Sequence, residues 1–389
     1  MYSLTKTLNQ ERILKLILLI KDNQIKFLSS ILSRLQIVFL FVLLSIVTSF
    51  SQTESQNYLE GTRITDIKQE GSSLWVATYG QGIYEYSFKD GKWSNYSTKS
   101  GNLDNDLFHC VAANKDFVWA GTNEGLFIYS KKTKKWTKRK FAQGGEFGNW
   151  IRSLNYDDKR KRLWIGRFRN ITVLDLRTNK FTDYNKVING SEKTNNFNNI
   201  VFETDSVVWF GVEYGVHKFN AKKNIDDQSA WTYFSNKSRY FNGEGNSVSV
   251  TDFVFERNNV WFATDEFVTK ELPEYNVGGI YVWDRKLKWE RISKANGLGG
   301  NGIYCLARTG NYIWAGVYEF EKNEKSEYGK GLYLINRLTK KVTPIDLSEL
   351  NVTTSDILSL FFDGTNLWIG TASGLVKLRL GNELAQLKK

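Results

Sequence analysis

The sequence predicts an all-β protein, a seven-bladed β-propeller built from four-stranded antiparallel blades. The first observation behind this prediction is a pattern of one apolar residue, Trp and a small-residue cadence that recurs seven times. The tryptophans lie 44 to 54 residues apart, at Trp75, Trp119, Trp164, Trp209, Trp261, Trp314 and Trp368. Repeats of this length with several short strands each are typical of propeller blades. The composition agrees, because 31 Gly, only 2 Pro and 15% aromatic residues favour short strands joined by tight turns.

Composition also excludes several classes of protein. The aromatic content excludes intrinsic disorder, because disordered chains are poor in aromatic residues and cannot bury a core. The sequence contains only two cysteines, Cys110 and Cys305, and two histidines, His109 and His217. A disulfide framework, a CxxC metal knuckle and an iron–sulfur site are therefore excluded, and a zinc site would depend on carboxylates. We predict no metal and no other cofactor.

Residues 1–51 are predicted to be a signal peptide with a long N-terminal region. An uncharged apolar run begins at Ile37, Lys26 and Arg34 precede it, and Ser49 and Ser51 flank a cleavage position before residue 52. A basic region, an apolar stretch and small residues at the cut are the marks of a secretory signal. The run of about 11–14 residues is shorter than the roughly 20 that span a bilayer. We expect a periplasmic or secreted protein, and an uncleaved signal anchor is the alternative.

Each repeat carries the same predicted strands in the same order. A tetrad of apolar, any, small polar and apolar residues begins eleven to thirteen positions before each Trp and predicts the first strand, for example Ile64 to Ile67. The Trp lies in the second strand, and Gly with an apolar residue usually opens the third. Residues two apart share a face of a strand, so each Trp lies beside a Gly or Ala. We predict that all seven indoles are core residues that pack blade against blade.

The last repeat supplies only three strands, at about residues 357–362, 367–371 and 375–380. We expect residues 55–58 to add its fourth strand, because their sequence is similar to that of residues 93–96. This pairing would remove an open sheet edge. Residues 52–381 are then one propeller, and residues 382–389 are a short tail. Cys110 and Cys305 occupy the same tetrad position in blades two and six, too far apart for the Cα separation below about 7 Å that a disulfide needs.

Two segments carry a resemblance to a known family. Asp363 to Leu375, and Asn114 to Leu126, closely resemble the two-component regulator propeller repeat. The resemblance implies the periplasmic sensor portion of hybrid two-component systems of Bacteroidota, which recognise polysaccharide-derived ligands. Those sensors continue into further domains, a membrane span and a histidine kinase. Because no such segment follows Lys389, we expect a stand-alone propeller that acts through a partner protein.

Candidate ligand-binding residues lie in the links between blades and in the turns between second and third strands. Aromatic rings there suit the apolar faces of sugars, and Arg167 with Arg169 suits bidentate binding of a carboxylate or sulfate. Longer inserts occur at 264–278 in blade five and 317–330 in blade six. The alternative is that these are ordinary solvated loop residues. The predicted ligand-binding residues are Tyr79, Trp150, Arg167, Phe168, Arg169, Glu213, Tyr214, Tyr240, Glu266 and Tyr318.

The opposite face is predicted to be basic. Its turns include residues 131–135, 157–162, 285–288 and 337–341, all rich in Lys and Arg. Such turns favour an anionic envelope surface or a partner protein, and solvated basic turns are the alternative. The net charge of +12 gives no reason to expect nucleic acid for an exported protein.

Three functions are compatible with the sequence. The preferred one is an exported, non-enzymatic sensor or binding propeller for a glycan or other envelope ligand, with a membrane signalling or envelope protein as partner. The first alternative is a lyase acting on a uronate or lactone, with Arg167 and either Tyr214 or Tyr79 as a conceivable catalytic pair. The second is a scaffold in envelope assembly or secretion. No phosphate loop, G-x-S-x-G or H-E-x-x-H motif occurs, which disfavours the enzyme. The oligomeric state stays open.

Overall fold

The protein is a seven-bladed β-propeller, which confirms the predicted fold class. The computed structural model describes residues 54–141, 145–266, 277–321, 323–324 and 326–381, and these contain seven four-stranded antiparallel sheets. The predicted signal peptide, the predicted tail and residues 267–276 of the blade-five insert lie outside the described residues. In the ranges given above, no helix is long and apolar enough to cross a membrane.

The strands follow one another along the chain, four to a blade. Blade one contains β2 (Ile64–Glu70), β3 (Ser73–Thr78), β4 (Ile83–Ser87) and β5 (Lys92–Tyr96). Blade two contains β6 (Cys110–Ala113), β7 (Phe117–Thr122), β8 (Gly125–Ser130) and β9 (Lys135–Arg139). Blade three contains β10 (Ile151–Asp157), β11 (Arg162–Arg167), β12 (Ile171–Asp175) and β13 (Lys180–Tyr184).

The remaining blades repeat this order. Blade four contains β14 (Phe197–Thr204), β15 (Val207–Val212), β16 (Val216–Asn220) and β17 (Trp231–Phe234). Blade five contains β18 (Val250–Phe255), β19 (Val260–Thr264), β20 (Gly279–Trp283) and β21 (Trp289–Ile292). Blade six contains β22 (Gly302–Thr309), β23 (Tyr312–Glu321), β24 (Ser326–Asn336) and β25 (Val342–Pro344).

Blade seven combines strands from both ends of the described chain. It contains β26 (Ile357–Phe362), β27 (Asn366–Thr371) and β28 (Gly374–Arg379), and β1 (Glu54–Tyr58) pairs antiparallel with β28. Short 3₁₀ helices lie in links and turns, at Gly145–Asn149, Glu192–Asn195, Gln228–Ala230, Asn236–Ser238, Phe241–Gly243, Lys294–Asn296 and Leu347–Leu350. In blade six the predicted insert continues the hairpin of β23 and β24, since Phe320 pairs with Glu327.

The recurring tryptophans form the contacts between blades, as predicted. All seven are buried, and several contact an aromatic residue of the next blade, for example Trp119 with Tyr156 at 5.5 Å between ring centroids. The small residue two positions later lets the next first strand approach. A Cβ built on Gly211 would lie 2.4 Å from the carbonyl oxygen of Val250. Each large ring is thus paired with a notch that only Gly or Ala leaves open.

The first strands surround a central channel, and in several tetrads the third residue makes a hydrogen bond to the next blade. The carboxylate of Asp66 accepts a hydrogen bond from the backbone N–H of Val111 (3.0 Å), and that of Asp252 accepts one from Leu306 (2.8 Å). The thiol of Cys110 lies 3.9 Å from the carbonyl oxygen of Ile151. Both cysteines are buried and free, as expected. These small polar residues satisfy backbone groups that strand pairing within a blade leaves open.

Candidate functional site

A β-bulge turns the second residue of the tetrad toward the mouth of the channel. In six blades the pairing of the first with the second strand shifts across this residue, for example between Ile151 and Ser153. Bulges re-aim side chains in this way. The second-position residues line the central cavity of about 260 Å³, and we call them the channel rim: Thr65, His109, Arg152, Asn198, Thr251, Tyr304 and Leu358.

Aromatic side chains continue outward from one side of the channel rim. Trp150 and Phe168 stack with ring centroids 5.1 Å apart and ring planes 8° from parallel. The His109 ring lies 6.0 Å from Trp150 and 5.7 Å from Tyr79. Phe147 contacts Phe168 at 5.0 Å, and it is 40% exposed, while Tyr79 is 44% exposed. We call Tyr79, His109, Phe147, Trp150 and Phe168 the aromatic patch.

The link between blades two and three holds this patch in place. The 3₁₀ helix at Gly145–Asn149 ends just before Trp150, and the Asn149 side chain accepts a hydrogen bond from the N–H of Phe141 (2.6 Å). The backbone N–H of Phe168 donates to the carbonyl of Trp150 (2.8 Å). The stacked pair is therefore fixed by backbone contacts between a link and the neighbouring β11–β12 turn.

An ion pair lies against the stacked rings. Arg152 Nη1 is 2.7 Å from Glu213 Oε1, and Asn196 donates to the other carboxylate oxygen at 2.9 Å. The guanidinium carbon of Arg152 is 5.7 Å from the Trp150 centroid and 5.4 Å from that of Phe168. Arg152 is thereby held by charge, by hydrogen bonding and by cation–π contact. The pair joins the channel rim to the aromatic patch.

His109 is neutral at pH 7. Burial, and then the positive charge of Arg152, lowers the pKa of His109 to about 4. Within the described ranges its Nε2 has no hydrogen-bond partner. The imidazole therefore contributes an uncharged ring to the patch, with its Nε2 atom buried.

The opposite side of the channel rim is acidic and closely packed. The rings of Tyr304 and Tyr318 stack at 4.2 Å, and their hydroxyls donate to Glu327 (2.8 Å) and Asp265 (3.0 Å). Burial raises the pKa of Asp265 to about 6. Tyr318 is only 1% exposed, so the expectation that its ring meets a ligand is corrected: the ring is buried and stacks on Tyr304.

Arg167 requires the largest correction. It is 0% exposed, its Nη2 is 2.9 Å from Asp183 Oδ2, and its Nη1 donates to the carbonyl of Gly148 at 2.7 Å. Its guanidinium also lies 4.8 Å from the Phe141 ring centroid. Arg167 is therefore inside the blade, where it positions the link that carries Trp150 and is out of reach of a ligand carboxylate.

The other predicted ligand-binding residues lie in the aromatic patch, beside it, or in other parts of the propeller. Tyr79, Trp150, Phe168 and Glu213 come together at the patch, while Arg169 is exposed on the β11–β12 turn. Tyr214 follows Glu213, with Lys237 5.6 Å from its ring. Two residues lie elsewhere. Tyr240 packs against Phe234 and Trp289, and Glu266 accepts a hydrogen bond from Asn301 (3.0 Å).

Sequence reasoning missed Arg152 and undervalued His109. Both occupy the second tetrad position, the one with no preferred residue type, and that variability was the available signal. Across the described ranges, no group of three or more His, Cys, Asp and Glu side chains is placed to hold a metal ion. The site therefore offers aromatic surface, one ion pair and a neutral imidazole.

Comparison with known proteins identifies the class of fold. No protein-family model matches the chain, and no curated protein matches it. Among solved structures, the extracellular domain of BT4673 from B. thetaiotaomicron, described as a hybrid two-component system, is 18% identical over 85% of this chain, with a TM-score of 0.63. That of BT3049, described likewise, is 17% identical over 84%, with a TM-score of 0.59.

The chain spans only 40% and 42% of the lengths of those two domains. Virginiamycin B lyase from Staphylococcus aureus is also similar, at 14% identity, with a TM-score of 0.58 over 85% of this chain and 99% of that one. Identities this low show a shared fold and not a shared activity. The protein is thus a propeller of the fold found in extracellular domains of hybrid two-component systems, as the repeat resemblance predicted.

Proposed function

We propose that the protein is an exported, non-enzymatic binding propeller that holds a glycan on the aromatic patch and acts through a membrane-linked or envelope partner. One observation carries the proposal: a stacked Trp150–Phe168 pair lies between partly exposed rings and the Arg152–Glu213 ion pair at the mouth of the channel. Export and a partner are supported by the predicted signal peptide and by the repeat resemblance.

The chemistry of the patch favours hydroxyl-rich ligands. Aromatic rings offer flat apolar surface to the C–H faces of sugar rings. Arg152 and Glu213 neutralise each other, so together they present N–H donors and carboxylate acceptors without a net charge. Hydroxyl groups need both donors and acceptors. We therefore expect neutral oligosaccharides to bind at least as tightly as uronate-containing ones.

The lyase alternative loses the pair on which it depended. Arg167 is buried against Asp183 and cannot neutralise a substrate carboxylate on the surface. The similarity to a lyase is one of fold alone. No contact among the described residues favours catalysis over binding.

Native mass spectrometry of the full chain with a mixed library of neutral and acidic oligosaccharides tests the proposal. We expect intact adducts, and we expect Trp150→Ala and Arg152→Ala each to weaken them about tenfold or more, as loss of a central aromatic or Arg anchor does. The matched control is Tyr328→Ala, because Tyr328 is 46% exposed but lies in the blade-six hairpin. Thermal unfolding of each variant separates lost binding from lost folding.

Three results would contradict the proposal. Shortened or unsaturated sugars in the spectra would make the protein an enzyme. Adducts that survive both patch substitutions would place the site elsewhere. No adduct with any sugar would favour the scaffold function.

A further inference from the structure

Two leucines project from the face opposite the aromatic patch. Leu287 is 93% exposed and Leu338 is 67% exposed, which makes them the most exposed large apolar side chains of the described ranges. Each lies in the turn between the third and fourth strands, Leu287 in blade five and Leu338 in blade six. Single exposed leucines are common, but equivalent turns of adjacent blades place these two on one face.

Both turns are held in defined conformations. The Asp284 carboxylate accepts hydrogen bonds from the backbone N–H groups of Lys286 (2.8 Å) and Lys288 (3.0 Å), on either side of Leu287. The Asn336 side chain accepts from the N–H of Leu338 itself and from that of Thr339, both at 3.0 Å. The leucines are therefore presented by ordered turns, and little conformational entropy remains to be lost on binding.

The two turns are also tied to each other through Glu256. Arg285 Nη2 donates to the carbonyl of Glu256 (2.8 Å) and pairs with Glu203 (2.7 Å). Arg337 Nη1 pairs with the Glu256 carboxylate at 3.3 Å. Arg285 and Arg337 therefore make contacts within the protein that stabilise the two turns. The positive charge that the turns present to solvent comes from their lysines.

The surroundings of the leucines are strongly basic. Residues 284–288 and 337–341 contain six Lys and Arg against one Asp. Lys286, Lys288 and Lys341 are exposed beside the leucines, and the ammonium of Lys288 pairs with Glu290 at 2.5 Å. Single apolar side chains surrounded by lysines are complementary to a surface with negatively charged groups on the outside and apolar groups a few ångströms below them.

We propose that this pair of turns, residues 284–288 and 337–341, binds the surface of an anionic lipid bilayer. Leu287 and Leu338 enter the boundary between headgroups and acyl chains, and the lysines contact anionic headgroups. A protein partner fits less well, because stable protein interfaces bury about 1,200–2,000 Å² around a continuous apolar centre. Two leucines on separate turns do not supply such a centre. The aromatic patch faces away from the membrane in this orientation.

A fluorescent label beside Leu338 tests the proposal. The native thiols, Cys110 and Cys305, are buried, so an environment-sensitive dye attaches selectively to full-length Thr339→Cys. We expect a blue shift with vesicles of equal parts phosphatidylglycerol and phosphatidylcholine, and none with phosphatidylcholine alone. Salt should weaken the response, because exposed charges are screened. Adding Leu287→Ser and Leu338→Ser should weaken partitioning about tenfold or more, since the buried apolar area is lost.

The control label is placed at Asn123→Cys, which is exposed in the β7–β8 turn on the opposite face. This label should not respond to either vesicle. The proposal is overturned if the label at 339 stays silent with anionic vesicles, even when the protein sediments with them through another segment. Equal partitioning of the leucine variant also overturns it. A response without vesicles that grows with protein concentration would mean self-association through this face, and it would overturn the proposal too.

Discussion

Replacing Asp183 by Asn tests whether Arg167 is a structural residue, as the structure places it, or a ligand-binding one. The substitution keeps the shape of the side chain and removes the negative charge that lies 2.9 Å from a fully buried guanidinium. Burial already lowers the pKa of Arg167, and Asp183 is the group that opposes this effect. Without it, the arginine remains charged in an apolar setting beside Phe141.

The expected loss of stability is large. Breaking a buried ion pair by removing one partner costs about 3–5 kcal/mol. Because Asp183 itself is 24% exposed, we expect the lower end of that range, about 3 kcal/mol. Equilibrium urea unfolding followed by tryptophan fluorescence measures the change, since all seven blade tryptophans become exposed on unfolding. Arg169→Ala is the control, because Arg169 is exposed two residues away and should shift the free energy of unfolding by less than about 0.5 kcal/mol.

The opposite pattern would refute the structural role of Arg167. If Asp183→Asn unfolds within about 0.5 kcal/mol of the parent, the charge of Arg167 does not depend on Asp183 and is solvated by water or compensated by another group. Arg167 would then again be a candidate ligand contact.

Three further predictions concern packing, pH and thiol reactivity. Gly211→Ala should lower the free energy of unfolding by about 1–3 kcal/mol, because the new Cβ would lie 2.4 Å from a backbone oxygen. Gly166→Ala should lower it by less, because the nearest atom there is a side-chain carbon at 3.1 Å. Equal losses of stability in thermal unfolding would contradict the role of these glycines in packing blade against blade. Burial lowers the pKa of His217 from its ordinary 6.5 to about 4, so its contribution to stability is complete above pH 6.5 and is lost as the pH falls toward 4. The free energy of unfolding of His217→Gln should therefore fall less on acidification than that of the parent, by up to about 3 kcal/mol. An unchanged dependence of the unfolding free energy on pH would contradict this. Burial raises the pKa of the Cys110 and Cys305 thiols, so a disulfide reagent should modify both only after denaturation, and fast modification of the folded chain would show that they are accessible.

The architecture was predictable from the sequence because each repeat carries redundant signals. Seven tryptophans, each with a Gly or Ala two residues later, predict the second strand of every blade and its packing against the next blade. Seven copies of the pattern make this prediction secure even where one repeat departs from it. The same comparison between repeats predicts that Arg167 is buried. Its equivalents in the six other blades are all buried, and aligning the repeats by this column would have placed Arg167 inside: Thr78, Thr122, Val212, Thr264, Val317 and Thr371.

The candidate site was harder to predict, for a physical reason. The bulge that turns Arg152 toward the channel leaves no mark on the apolar pattern, because the tetrad keeps its spacing in every blade. The stacking of Trp150 on Phe168 depends on a hydrogen bond between a link and a turn that belong to different strand pairs. The sequence predicts a loop at Tyr318, because blade six is longer than the other repeats and the extra residues resemble an insert. In the structure these residues extend the paired strands β23 and β24.

A crystal structure of the protein with the oligosaccharide that mass spectrometry selects tests glycan binding at the aromatic patch most directly. We expect a sugar ring against the Trp150–Phe168 pair, with its hydroxyls within hydrogen-bond distance of Arg152 and Glu213. A sugar bound instead beside Tyr304 and Glu327, or on the lysine-rich turns of the opposite face, would contradict it.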